Sequence, residues 1–235
     1  AKLIKPGDRV VGTRLDHDAN VSPWRIACEM SGAEHVLAPF NAETGALESS
    51  AVIDLIDDRT AWVAVTGASN LLGTAPHLAP IIRAAHDAGA RVFVDAVHLA
   101  VHQPIDIAAL GCDVLACSPY KWYGPHAGVL CIEPNLLNDL PVAKVRPANN
   151  IGPSRFETGT PNFEGIAAVE AAARFLIEEN MTRVMQHESS VFEPLLHGLL
   201  DTPGVHVWGR KTMDGRVPTV AFTIDGYSPS HVAQS

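Results

Sequence analysis

One lysine stands between two tyrosines and a tryptophan in SPYKWYG, residues 118–124. An amine in that setting is either a surface cation resting on rings or a group held in a dry pocket for chemistry. The neighbours of Lys121 favour the second reading. DHDAN supplies His17, TGASN supplies Asn70, VDAVH supplies Asp95 and His98, and SPYK places Ser118 and Tyr120 beside the lysine. Each cluster directly follows an apolar run. A lysine amine forms an imine with an aldehyde, and a buried carboxylate paired with a pyridine nitrogen keeps that ring protonated, so that it can accept the electrons of a carbanion. Lys121 and Asp95 match those two needs of pyridoxal 5'-phosphate. His17 can stack over the ring, Asn70 and His98 can hydrogen-bond its hydroxyl, and Ser118 and Tyr120 are short-range donors suited to a phosphate.

Other uses of the same residues compete with this one. Lys121 could be a solvated lysine on a loop against Trp122, and Asp95 could be a helix N-cap after a strand. His17 between Asp16 and Asp18 has the composition of a metal site and, with Asp18, would suit a metal-dependent hydrolase. Adjacent residues on an extended chain point to opposite faces, however, and no second histidine cluster is placed to close a tetrahedral set. His102 reads as structural. Arg155 could pair with Glu157 or Glu164, or serve a substrate or phosphate.

The elements that must position these residues are visible as periodic runs. Apolar, Val-rich runs at 8–15, 35–40, 60–67, 90–96, 113–118, 128–133 and 219–225 read as strands. The first five are separated by helical or short crossover segments, notably 20–32, 48–57 and 76–88, a rhythm that predicts βαβ units and a mostly parallel sheet buried on both faces. In such sheets ligands bind beyond the carboxyl ends of the strands, the edge on which all four clusters fall. Gly89 reads as a helix C-cap. A Pro, Asn and Gly-rich stretch at 141–163 predicts an extended loop, 165–179 and 181–200 predict amphipathic helices, and 203–218 reads as a loop leading into a second domain. A further helix is expected after 225.

The 235 residues are 47% apolar and 18% charged, enough for a sizeable core in a soluble globular chain. The formal charge of −9 is spread without runs, so no basic patch suggests a nucleic-acid or anionic-membrane partner. No segment is long and apolar enough to span a bilayer, and AKLIKPGDRV lacks signal-peptide anatomy, which makes a cytoplasmic enzyme the expectation. Cys28, Cys112, Cys117 and Cys131 form no CxxC pair and read as buried thiols.

Four segments carry a resemblance. DHDANVSPW, VTGASNLLGT, VFVDAVHLAVHQPIDIAALGCDVLACSPYKWYGPHAGVL and RFETGTPNFEGI resemble, in order and across about residues 5–225, the class V aminotransferase family of fold type I pyridoxal-phosphate enzymes, most closely its cysteine desulfurase-like branch. The resemblance implies a three-layer α/β fold with a mostly parallel sheet over residues 1–200, incomplete at its N-terminus. It also implies the start of a small α+β domain over 201–235. Lys121 then corresponds to the Schiff-base lysine, Asp95 to the partner of the pyridine nitrogen, His17 to the stacking imidazole and Asn70 to a cofactor contact. Thr160, in the GTP segment, corresponds to a residue that reaches the phosphate of the neighbouring subunit's cofactor, which implies a homodimer.

Departures accompany the match. Desulfurases usually carry glutamine in place of His98 and histidine in place of Tyr120, and kynureninase-like relatives resemble this sequence at both positions. The family's persulfide-forming cysteine and its carboxylate-binding arginine correspond to positions beyond 235, and its N-terminal phosphate-binding segment to positions before residue 1. The chain therefore reads as an internal part. The expectation is a pyridoxal-phosphate enzyme acting on an amino acid by desulfurase-like chemistry or transamination, with a kynureninase-like lyase as the alternative. A non-catalytic dimerising homologue or fragment is the reading from another class.

Overall fold

The computed structural model describes residues 4–234. Strand β1 (Arg9–Thr13) leads through a 3₁₀ turn at Asp18–Asn20 into helix α1 (Ser22–Ser31). Then come β2 (Glu34–Ala38), α2 (Ser49–Ile53), β3 (Thr60–Thr66), α3 (Leu78–Asp87), β4 (Arg91–Asp95), α4 (Ile107–Leu110) and β5 (Val114–Cys117). A 3₁₀ turn at Pro119–Lys121 precedes β6 (Val129–Ile132) and α5 (Pro134–Asp139). The chain continues through α6 (Phe163–Glu179), α7 (Met181–Asp201), β7 (Val205–Trp208), β8 (Ala221–Ile224) and α8 (Pro229–Gln234).

The main sheet has the order β2-β1-β3-β4-β5-β6, parallel except for β6, which runs antiparallel to β5. Alternation sorts its side chains onto two faces. Val11, Val63, Val65, Val92 and Val94 pack with Leu78, Ile81, Ile82 and Ala85 of α3 and with Val52 of α2 on one side. Val10, Trp62, Phe93 and Val114 pack with Trp24 and Cys28 of α1 and Leu136 of α5 on the other. Each buried Val contributes about 1.5–3 kcal/mol relative to exposure. This is the mostly parallel sheet buried on both faces that the Val-rich runs predict, and the three-layer α/β architecture that the resemblance implies. Beyond Asp87, Ala90 N–H bonds to Ala85 and Gly89 N–H to His86, with Gly89 at φ 75°, so the glycine ends α3 and turns the chain into β4.

Three expectations need correction. Residues 203–218 are not all loop, because VHVW forms β7, paired antiparallel with β8 in a separate two-stranded sheet. Its period-2 pattern is only four residues long and lies between Gly204 and Gly209, which hide it among turn signals. The cysteines are not uniformly buried: Cys28 and Cys112 are, Cys117 is partly so and Cys131 is exposed, because β6 is an edge strand. Arg155 forms no ion pair with Glu157 or Glu164 among the described residues. It donates instead to the carbonyls of Leu137, Asn138 and Leu140 at the C-terminal end of α5, at 3.2, 2.6 and 2.5 Å. Residues 141–162 hold only the 3₁₀ turn Pro153–Arg155, and α6 begins at Phe163, the last residue of the expected loop. Among the described residues no helix is long and apolar enough to cross a membrane.

Candidate active site

The chain leaves β1 for β2 on one side and returns to β3 on the other, so a crevice opens beyond the carboxyl ends of β1 and β3. From there a cavity of about 170 Å³ runs across the ends of β4 and β5. His17, Asn70, Asp95, His98, Ser118, Tyr120 and Lys121 all line it, together with Thr66, Ala19, Ala68 and Val97. Size alone would not pick this place. A wider hollow of about 450 Å³ between β6 and the start of α6 has Glu157 as the single titratable residue in its lining.

Local structure fixes each side chain. Lys121 ends a tight turn in which Lys121 N–H bonds to Ser118 O at 3.0 Å and Gly124 N–H to Pro119 O at 2.8 Å. Trp122, 7% exposed, anchors that turn against Ala172 and Leu176 of α6, so the aromatic neighbour serves as ballast rather than as a resting place for the amine. Tyr123 then takes φ 69°, a left-handed conformation that side chains rarely adopt, which keeps the turn sharp. Asp95 ends β4, and its Oδ1 accepts from Val97 N–H at 2.9 Å. The turn therefore uses one oxygen of a carboxylate that also lines the cavity.

His17 caps the 3₁₀ turn, its Nδ1 accepting from Ala19 N–H at 3.0 Å. Asp18 accepts from Ser22 Oγ at 2.8 Å. These bonds account for the DHD cluster, and among the described residues no three His, Cys, Asp or Glu side chains are grouped to hold a metal. Asn70 is exposed at the tip of a loop closed by Ser69 N–H to Thr74 O, 2.8 Å. Tyr120, 49% exposed, stacks on His126 with centroids 5.3 Å apart.

His98 Nε2 lies 2.7 Å from Thr219 Oγ1, and its ring meets His102 nearly edge-on at 4.9 Å. Burial, with help from the charges of His102 and Lys121, lowers its pKa to about 4, so the ring is neutral near pH 7. Thr160 is exposed and is not among the residues lining the cavity.

The sequence offers Asp16 only as a flank of His17 in the metal-site alternative; the structure gives it a different character. This partly buried carboxyl accepts from Thr13 Oγ1 and from Asn20 Nδ2, the latter at 2.7 Å, and Asn20 in turn accepts from Trp24 Nε1 at 3.1 Å. Burial is the main cause that pushes it up to about 7; the Thr13 and Asn20 bonds oppose the rise and the charge of Asp95 adds to it. The available signal was the spacing of Thr13, Asp16 and Asn20 around a strand end.

The donor set suits a flat, anionic heteroaromatic aldehyde. Among the described residues neither Lys121 nor Asp95 is in an ion pair, although both line one small cavity, and two imidazoles, an amide and three hydroxyls share that lining. An amine for an aldehyde, a carboxylate for a ring nitrogen and hydroxyls for a phosphate are therefore all present.

The family model for aminotransferase class-V matches residues 1–235. The chain belongs to the class-V aminotransferase family. Among family members, a cysteine desulfurase of Enterobacter sp. (strain 638) is 35% identical over 234 residues, covering 94% of this chain and 57% of the relative. One of Escherichia coli O157:H7 (strain EC4115 / EHEC) is 32% identical with the same coverage. The cysteine desulfurase CsdA (S-sulfonic acid) from Escherichia coli superposes with a TM-score of 0.86 at 29% identity, over 97% of this chain and 59% of that one. The apo cysteine desulfurase of Thermococcus onnurineus NA1 gives 0.87 at 26%, over 98% and 60%. This chain thus spans somewhat over half the length of the class-V relatives it matches.

Proposed function

We propose that the cavity is a pyridoxal-phosphate site and that the protein of which it is part acts on an amino acid, with cysteine desulfurase-like chemistry as the leading reaction. The observation that carries this reading is the convergence of Lys121, Asp95 and His17 on one cavity at the switch point of a class-V fold. When bound, the cofactor supplies an aldehyde for an amine and a ring that takes up the electrons of a carbanion.

The chain's own residues divide the remaining work. Lys121 would hold the cofactor's aldehyde through its Nζ, and the same amine would carry a proton to or from the substrate. Asp95 keeps the ring nitrogen protonated, and His17 covers one ring face. Asn70 and His98 orient the ring hydroxyl, and Ser118 and Tyr120 hold the phosphate. Residues 1–200 form the cofactor-binding part, and 201–235, with the β7-β8 sheet, begin a second one.

A homodimer fits the same picture. Leu130, Phe163 and Ile166 are 54%, 63% and 56% exposed around the hollow beside the Thr160 segment, and Thr160 stands apart from its own cavity, as a residue serving a neighbouring copy would.

Incubation with pyridoxal phosphate followed by borohydride tests the assignment. The expected result is a visible band that reduction removes, with the label mapped to Lys121. Lys121→Ala abolishes the label and lowers turnover of the amino-acid substrate by more than about a hundredfold. A protein that stays colourless, with ligand binding indifferent to Lys121→Ala, would overturn it.

A further inference from the structure

The segment 209–219 is strapped onto the β3–α3 loop, whose tip carries Asn70. Val217 N–H bonds to Gly73 O at 2.8 Å, and Ala75 N–H to Gly215 O at 2.9 Å. The contact is close enough that a Cβ on Gly73, which sits at φ +73°, would come within 2.6 Å of Thr219 O and 2.7 Å of Val217 O. Arg216, 7% exposed, clamps the strap through the carbonyls of Arg210, Leu72 and Thr219 and lies 5.0 Å over the Phe192 ring. The strap ends by delivering Thr219 Oγ1 to His98 across 121 residues of sequence. His102, whose ring meets that of His98 edge-on at 4.9 Å, bonds through Nδ1 to Glu188 of α7 at 3.0 Å. A wall residue of the cavity is thus gripped by chain segments that lie outside the βαβ core.

We propose that Thr219 is a positioning residue for His98: its hydroxyl donates to Nε2, which places the single ring proton on Nδ1 as the donor that an oxyanion in the cavity can use. The proposal rests on the reading of the cavity as a pyridoxal-phosphate site, whose ring phenolate is such an oxyanion. Thr219 Oγ1 has no other hydrogen-bond partner among the described residues, so its proton is available to the imidazole. Arg216 and Gly73 fix the backbone on either side of the contact, so the hydroxyl stays in reach of the ring.

The test uses ¹⁵N-histidine NMR of the cofactor-free protein together with a pyridoxal-phosphate titration followed by visible absorption. The wild type is expected to show His98 as the Nδ1–H tautomer. Thr219→Val mixes the two tautomers and weakens cofactor affinity about tenfold, the size of one lost hydrogen bond, with the melting temperature unchanged. Thr219→Ser restores both signals. An Nε2–H tautomer in the wild type, or His98 resonances indifferent to Thr219→Val, would sink the proposal. So would Thr219→Ser failing to rescue. If the wild type takes up no cofactor while the tautomer still follows the hydroxyl, the cofactor reading falls and the positioning role stands.

Discussion

Asp113 sits just before the amino end of β5, and Asp95 ends the neighbouring strand β4 at its carboxyl end. Asp113, with a side chain 4% exposed, is fully satisfied. Its carboxylate accepts from Val92 N–H at 2.8 Å and Arg91 Nη1 at 2.6 Å and contacts His86 Nε2 at 2.8 Å. Burial alone would raise its pKa, but these partners together hold it below the ordinary carboxylate value. Asp95 has one backbone partner and no cation among the described residues, and the nearby Asp16 is pushed the other way, up to about 7. One sheet therefore gives an acid its counter-charges at one end, whereas at the other Asp95 and Asp16 have no cationic partner among the described residues. A carboxylate given its counter-charges within the fold serves stability, whereas one that keeps an acceptor unspent fits the ligand-binding role proposed for Asp95.

Exchange of the two aspartates should break the comparison most visibly. Asp113→Ala leaves the Val92 N–H without a partner, while His86 and Arg91, 41% and 38% exposed, turn to water. The expected loss is about 2–3 kcal/mol of unfolding free energy, with cofactor uptake per folded molecule unchanged. Asp95→Ala should reverse the pattern, costing less than about 1 kcal/mol in stability and more than about a hundredfold in turnover. Denaturant melts and substrate turnover measured on both variants decide it, and equal losses of stability would remove the distinction.

Much of this contrast is legible in the sequence, for reasons that differ by residue. The Val-rich runs announce a sheet buried on both faces, and once the strands are parallel, the carboxyl-end positions of His17, Asn70, Asp95, His98 and Lys121 follow from chain direction alone. Local chemistry that depends on distant segments is not legible. Thr219 approaches His98 only because the strap folds back on the Gly73 loop, and no spacing rule joins positions 98 and 219. Asp16 is read from sequence only as a flank of His17 in a metal-site alternative, because its actual character comes from burial and from Thr13, Asn20 and Asp95, not from its neighbours His17 and Asp18. Strand β7 escaped because four alternating residues between glycines carry too little pattern.

Asp16 offers a sharper test, through pH. Its carboxyl moves from 3.8 unperturbed to about 7 in the fold, so the folded protein binds that proton more tightly than the unfolded chain. The proton favours the fold at low pH, and its contribution is lost as pH rises through about 7. Between about pH 4 and pH 7 the unfolding free energy should therefore carry a downward slope from this group. Asp16→Asn, which keeps the shape of the protonated acid, should flatten that slope and leave stability near pH 5 almost unchanged. Urea melts across the range measure it; an identical slope in both proteins would show that Asp16 is ionised throughout.

The smallest effects should separate the two hydroxyls assigned to the phosphate. Ser118 is partly buried where β5 breaks into its turn, so a bond from its Oγ would form with little competing water. Tyr120 is half exposed and already stacked on His126, which places its hydroxyl nearer bulk solvent. Hydrogen bonds that exchange with water contribute least. Ser118→Ala should weaken pyridoxal-phosphate affinity about tenfold and Tyr120→Phe less than about threefold, both at unchanged melting temperature. The reverse order would place the phosphate on the His126 side of the turn and reassign its donor to the tyrosine.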